Sequence, residues 1–312
     1  MNEFELIAKL TAGLGAGAGV IVGPGDDCAV LDVGAPGQWL LFKTDAVVEG
    51  VHFRADTDPE KIGRKALARC LSDIAAMAGR PTQALVTLAL PRDFDAARVT
   101  AIYEGLKACA MRHDVSIVGG ETTTSPGGLL ISIALLGTVT KGKALLRSGA
   151  QAGDAIFVTG ELGGSLAGRH LDFEPRLAQA AWLSEYFSLH AMIDLSDGLA
   201  GDLRHVLKAS KCGAELLGKA VPISREAKVK ARSESSAKPP LLAALTDGED
   251  FELLFTIAPG DAVAVKDAWA KQFPALKLSC IGKITAAPRL RIVTEHGVHD
   301  MTEHGYAHFQ QS

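Results

Sequence analysis

Apolar positions along the chain follow two rhythms. Helical spacing marks Phe4, Ile7, Ala8 and Leu10 within residues 3–12, and predicts further helices over about 60–79 and 95–113. Short apolar runs predict strands at Ala29–Asp32, Trp39–Thr44, Ala84–Ala89 and Ser116–Val118, and the longer run Leu129–Val139 reads as a buried strand. A turn-rich stretch from Ser148 to Asp154 then opens a second unit. It holds a strand at Ala155–Thr159, a strand at 191–194, a helix at about 198–210, and strands near 252–257 and 289–294. Residues 225–240 are polar and charged and end in Pro239-Pro240, which reads as an exposed connection. Gly13, Gly15, Gly17 and Gly19 alternate after the first helix. No strand precedes them and their spacing is not G-x-G-x-x-G, so they read as a mobile loop, not a dinucleotide cradle. Strands interleaved with helices predict an α/β or α+β fold, with domains at 1–147 and 148–312.

Composition narrows this picture. Hydrophobic residues make up 47% and charged residues 22%, which is too apolar for disorder. Aromatics are only 5%, favouring closely packed α/β layers. A net charge of -4 excludes a general nucleic-acid binder. The five cysteines form no C-x-x-C pair, so they read as buried free thiols in a reducing compartment, not a zinc or disulfide framework. The N-terminus lacks an apolar signal core and no long apolar run suggests a membrane span, so a cytoplasmic location is expected.

The informative feature is where the acids sit. Gly23-Pro-Gly-Asp26-Asp27 precedes an apolar strand; alone it reads as a polar turn. Thr44-Asp45 ends a predicted strand and Glu49-Gly-Val-His52 follows, which suits either a crevice ligand or a strand cap. Asp73 neighbours Ile62, Ala66, Cys70 and Met77 on a helical projection. Arg69, one turn earlier, is a candidate partner for it, and a metal would also explain the position. Gly119-Gly120-Glu121 couples a strand end to backbone able to approach a phosphate, or to a glycine turn. Ser196 reads as an N-cap and Asp197 as a helix-dipole partner, but neither explains Asp194 at the end of its strand. Gly248-Glu249-Asp250 closes the series just before an apolar strand.

No G-x-x-x-x-G-K-[ST] loop and no protein-kinase signature is present. Carboxylates without His or Cys companions suit hard cations such as Mg²⁺, which commonly binds one or two carboxylates plus substrate phosphates. The distribution therefore points to metal-assisted phosphoryl transfer with ATP as co-substrate.

Seven segments in this order resemble the thiamine-monophosphate kinase family: Gly25-Asp-Asp-Cys-Ala-Val, Thr44-Asp-Ala-Val-Val-Glu-Gly-Val-His-Phe, Leu71-Ser-Asp-Ile-Ala-Ala-Met, Gly119-Gly-Glu-Thr-Thr, Leu146-Arg-Ser-Gly, Ile193-Asp-Leu-Ser-Asp-Gly-Leu and Gly248-Glu-Asp-Phe-Glu-Leu-Leu-Phe. That family belongs to the superfamily of aminoimidazole ribonucleotide synthetase, selenophosphate synthetase and HypE. The resemblance implies an N-terminal ATP- and metal-binding domain that dimerises through its sheet, and an α+β C-terminal domain. It implies direct transfer of the ATP γ-phosphate to thiamine monophosphate, with several Mg²⁺ ions and a homodimer. By the same resemblance Asp27, Thr44, Asp45, Asp73, Glu121, Asp194 and Asp197 match metal ligands. Tyr103, Gly120, Glu121, Arg147 and Ser196 match ATP contacts, and His52, Glu249 and Tyr306 match contacts to the acceptor. Glu121 stands where the family usually has Asp, Lys43 where Ser or Thr often assists a metal, and the segment between Gly168 and His190 is short. These departures leave a non-catalytic or altered-substrate nucleotide-binding member of the superfamily as the alternative. A selenophosphate synthetase would need a reactive residue near the N-terminal glycines, and HypE a C-terminal cysteine; neither is present.

Overall fold

The structure, a computed structural model, describes residues 3–14, 17–302 and 305–306. Gly15 of the predicted glycine loop lies outside them. The first unit carries α1 (Glu3–Thr11), β1 (Val20–Val22), β2 (Ala29–Leu31), β3 (Gln38–Val48), α2 (Pro59–Ala76), β4 (Arg80–Leu90), α3 (Ala96–Arg112), β5 (Ser116–Thr124) and β6 (Leu130–Thr140). Its six strands form one sheet in the order β1-β2-β3-β6-β4-β5. Only β4 and β5 pair in parallel, joined through α3.

Strand alternation decides what each face of this sheet meets. Ile131, Ile133 and Leu135 of β6 are fully buried under the helices. Their partners on β3 are Val47, Asp45 and Lys43, so two charged residues point toward the helix side. Thr44 and Phe42 face the other way, onto a sheet face that no helix covers among the described residues, where Phe42 and Leu85 are exposed. α2 and α3 cross in close contact because each offers a glycine: a Cβ on Gly63 would lie 1.8 Å from the Ile102 carbonyl, and one on Gly105 1.9 Å from that of Glu60.

The second unit contains β7 (Ala155–Thr159), α4 (Arg169–Asp172), α5 (Leu177–Tyr186), β8 (Leu189–Asp194), α6 (Leu199–Ser210), β9 (Gly213–Leu217), α7 (Arg225–Ser233), α8 (Pro240–Thr246), β10 (Leu253–Ile257), α9 (Ala262–Gln272), β11 (Leu278–Thr285), β12 (Leu290–Thr294) and β13 (Gly297–Asp300). Its seven strands run in the order β13-β12-β9-β11-β7-β10-β8. The two units share core: Phe173 and Phe251 stack at 4.0 Å between centroids and pack into the first unit's apolar cluster.

Several expectations need correction. Residues 225–240 are not simply an exposed connection, because Ser224 accepts the Ala227 N–H and caps α7. Ser196 does not cap α6; Gly198 occupies that position, with φ +103°, and makes no side-chain cap. Asp45 and Glu121 lie inside β3 and β5, not at their ends, since both strands run several residues past the predicted limits. The free-thiol reading holds for Cys28, Cys70, Cys109 and Cys212, which are buried, while Cys280 is exposed.

Candidate active site

Three carboxylates from distant parts of the chain converge. Asp27 follows the Gly25 turn, Asp73 lies on α2 and Asp194 ends β8. All three are buried, and an oxygen from each lies within 4.8 Å of the others. Such a gathering is costly unless cations offset it. Arg147 donates from Nε to Asp27 Oδ1 at 3.1 Å, and Lys43 donates to Asp73 Oδ1 at 2.8 Å. Ser72 donates to Asp194 Oδ2 at 2.6 Å. Asp27 Oδ2 is buried with no partner among the described residues. The carboxyls register the strain: burial, then the Asp27 charge, push Asp194 up to about 7 and Asp26 up to about 6. Burial raises Asp73 as well. Burial opposes the Lys43 charge, but Asp73 and Asp45 outweigh it and hold the ammonium above its ordinary range.

α2 lines this site along its length. Lys65, Arg69, Ser72 and Asp73 share one helical stripe by their spacing. Arg69 does not pair with Asp73, as its position on the helix had suggested; it meets Asp45 Oδ2 at 3.2 Å and donates to the Ala46 carbonyl. At the other end Lys65, fully buried, donates to the His52 carbonyl at 2.6 Å, meets His170 Nδ1 at 2.7 Å and binds Glu249 Oε2. Burial disfavours the Glu249 charge, yet His170, Lys65 and Arg69 overcome it and bring its carboxyl down to about 2. Burial, then Arg69, lowers His52 to about 4, and its Nδ1 accepts the Val48 N–H. The rest of the 249–252 segment holds α4 and its flanks. Asp250 accepts from Gly163 N–H and Arg169, and Glu252 accepts from Arg176 and Thr159.

The chain matches the model of the AIR synthase related protein N-terminal domain over residues 25–139 and that of its C-terminal domain over 166–295. Thiamine-monophosphate kinase of Rhodopirellula baltica is 46% identical over 254 residues, covering 79% of each chain. That of Bacillus subtilis is 32% identical and covers 99% of this chain and all of its own. The chain belongs to the thiamine-monophosphate kinase family. A solved structure of AaThiL complexed with AMPPCP and TMP superposes with a TM-score of 0.84 at 31% identity, over 99% of this chain and 97% of that one. HypE in complex with ATP, at 20% identity and a TM-score of 0.72, shares the fold.

Of the positions that match thiamine-monophosphate kinase motifs, only some are gathered among the described residues. Asp27, Asp73, Asp194 and Arg147 meet, with Asp45 close to Lys43 and Asp73. Asp197 and Ser196 sit on the next loop: the Ser196 carbonyl accepts the Glu249 N–H, and the Asp197 carbonyl accepts the Tyr306 N–H at 2.7 Å. Tyr306 is half-exposed beside that loop. Thr44 lies on the opposite sheet face from Lys43 and Asp45. Glu121 is linked to Ala46 only through Thr87 and Ser132. Three strand spacings put it about 14 Å away, too far to share a metal with Asp45. Gly120, Glu121 and Tyr103 instead line a separate depression of about 200 Å³ at the sheet edge. Sequence reasoning missed Lys65, His170 and Asp202; the last is buried and accepts the Asp197 N–H. Only the acid at the start of α6 was there as a signal for it.

Proposed function

We propose that the protein transfers the γ-phosphate of ATP directly to the phosphate of thiamine monophosphate, forming thiamine diphosphate and ADP. The observation that carries this reading is the convergence of Asp27, Asp73 and Asp194 beside Arg147 in a chain of this family. The orphaned Asp27 Oδ2 and the raised Asp73 and Asp194 carboxyls describe a site short of positive charge, which fits Mg²⁺. Asp27, Asp73 and Asp194 would hold the ion, which would supply positive charge to offset that of the phosphates during transfer.

The protein's own residues account for the rest. Asp27, Asp45, Asp73 and Asp194 supply the metal-facing oxygens, with Asp197 on the adjoining loop. Arg147 is placed to exchange Asp27 for a nucleotide phosphate, and Ser196 flanks the same loop. His52 and Glu249 mark the acceptor's end, with Tyr306 as an aromatic packing partner. In-line transfer needs positioning and charge stabilisation more than a strong base, and no side chain here is required to form a phospho-enzyme. Lys43 already occupies one Asp73 oxygen, which lowers the number of ions the cluster takes.

Residues 1–147 form the nucleotide, metal and dimerisation unit, and 148–312 the second unit. The uncovered sheet face, with Phe42 and Leu85 exposed, supports a homodimer. Dimerisation, not the single chain, would then bring Thr44 toward the edge formed by Tyr103, Gly120 and Glu121. A cytoplasmic location is in keeping with the absence, among the described residues, of a helix long and apolar enough to cross a membrane. The test is ADP release from ATP and Mg²⁺ with thiamine monophosphate, thiamine or aminoimidazole ribonucleotide precursors. Release only with thiamine monophosphate is expected; release with none of them refutes the activity.

A further inference from the structure

We propose that Lys65 is a positioning residue for the acceptor, tying the His52 backbone, His170 and Glu249 into one rigid wall at the end of the site remote from the carboxylate cluster. The proposal rests on the reading of Glu249 as an acceptor contact given above.

A lysine with no solvent exposure is rare unless every proton is used. An ammonium has three, and Lys65 Nζ has three polar partners: the His52 carbonyl at 2.6 Å, His170 Nδ1 at 2.7 Å, and Glu249 Oε2. These partners come from three places in the chain, the turn after β3, α4 and the loop before β10, and Lys65 of α2 reaches all of them. Glu249 itself sits at φ +55°, a backbone conformation that needs outside support in a non-glycine residue. Its Oε2 is committed to Lys65 and His170, while no hydrogen bond reaches Oε1 among the described residues. One carboxylate oxygen is thereby held and the other presented.

The stripe on α2 supplies the scale. Lys65 and Asp73 are eight residues apart, about 12 Å along the helix axis. A ligand whose phosphate lies at the Asp73 end and whose far end carries an amine donor, with a cationic ring between, would reach Glu249 there. Lys65 keeps that carboxylate ionised without contacting the reacting phosphates. The charged and titratable groups facing Glu249 are Lys65 and Arg69 from α2, His170 from α4 and His52 from the turn after β3.

Steady-state kinetics of Lys65→Met, His170→Ala and Glu249→Gln in the full-length protein test this. Lys65→Met should raise KM for thiamine monophosphate roughly 10- to 100-fold, with KM for ATP and kcat within about 2-fold. The ratio of its KM to that of the wild type should also climb as pH falls from about 6 to 4, as Glu249 returns toward the ordinary carboxylate range. Should Lys65→Met fail to fold, His170→Ala carries the same expectation with a smaller rise, about 3- to 10-fold. Equal losses for both substrates, or a fall in kcat alone, overturn the proposal. A raised KM in Glu249→Gln with an unchanged KM in Lys65→Met or His170→Ala overturns it while keeping Glu249 as an acceptor contact. An unchanged KM in Glu249→Gln overturns the acceptor reading itself.

Discussion

At the scale of single residues, the site is a problem in charge balance. Four carboxylates, Asp27, Asp45, Asp73 and Asp194, meet three side-chain cations, Lys43, Arg69 and Arg147. Asp194 bears the cost most plainly, with its carboxyl pushed up to about 7 by burial and by Asp27. A raised carboxyl favours the folded state below its ordinary pKa, and that contribution is lost as pH rises through about 7. The metal-free protein should therefore lose stability between pH 4 and pH 7 on this account. Saturating Mg²⁺ should restore it, raising Tm by roughly 5–10 °C and by more at pH 8 than at pH 6. A thermal shift independent of pH would separate the metal from these carboxylates. Asp194→Asn should raise the metal-free Tm at pH 8 while lowering kcat by about 10³-fold or more; turnover near that of the unaltered protein would remove Asp194 from the site. Lys43→Ser exposes an Asp73 oxygen and should bind one more Mn²⁺ per chain in an equilibrium titration. An unchanged count would mean that the ammonium replaces no ion.

At the scale of elements, the sequence shows where strands and helices lie better than where they stop. The apolar run of β3 breaks at Lys43, yet the strand continues to Val48 because Asp73 and Arg69 neutralise Lys43 and Asp45. β5 has no apolar pattern beyond Val118, and its glycines and threonines are held by parallel pairing with β4. α7 is highly charged because it is a solvated helix, so its composition reads as a loop. Lys65 was hidden for a related reason. A lysine on a helix reads as a solvated face, and its partner Glu249 is 184 residues away. The carboxylates, by contrast, were legible, because glycine-flanked acids before apolar strands are local patterns. The crossing of α2 and α3 gives a direct check on packing. Gly105→Ala sets a methyl against the Glu60 backbone and should cost about 1–3 kcal/mol or more in denaturant melts. A loss below about 0.5 kcal/mol would show that the helices can separate freely.

At the scale of the whole molecule, two units share one apolar cluster and one polar seam. The 249–252 segment supplies both: Phe251 enters the first unit's core, while Glu249 faces Lys65 and Glu252 faces Arg176. The uncovered face of the first sheet predicts a second copy. Light scattering should give a dimer for the wild type and a monomer for Phe42→Asp with Leu85→Asp; a monomeric wild type would leave Glu121 without a route to Thr44. Order along the chain was what made the function readable, because any one acid motif reads as a turn and only the series names a phosphoryl-transfer site. The central claim is that these scattered carboxylates perform one direct transfer. Following γ-³²P-labelled ATP with thiamine monophosphate tests it most directly. The account predicts label in thiamine diphosphate, one equivalent per ADP, none on the protein, and transfer by Asp194→Asn slowed by about 10³-fold or more. Label retained on the protein, or ADP formed without labelled thiamine diphosphate, would contradict it.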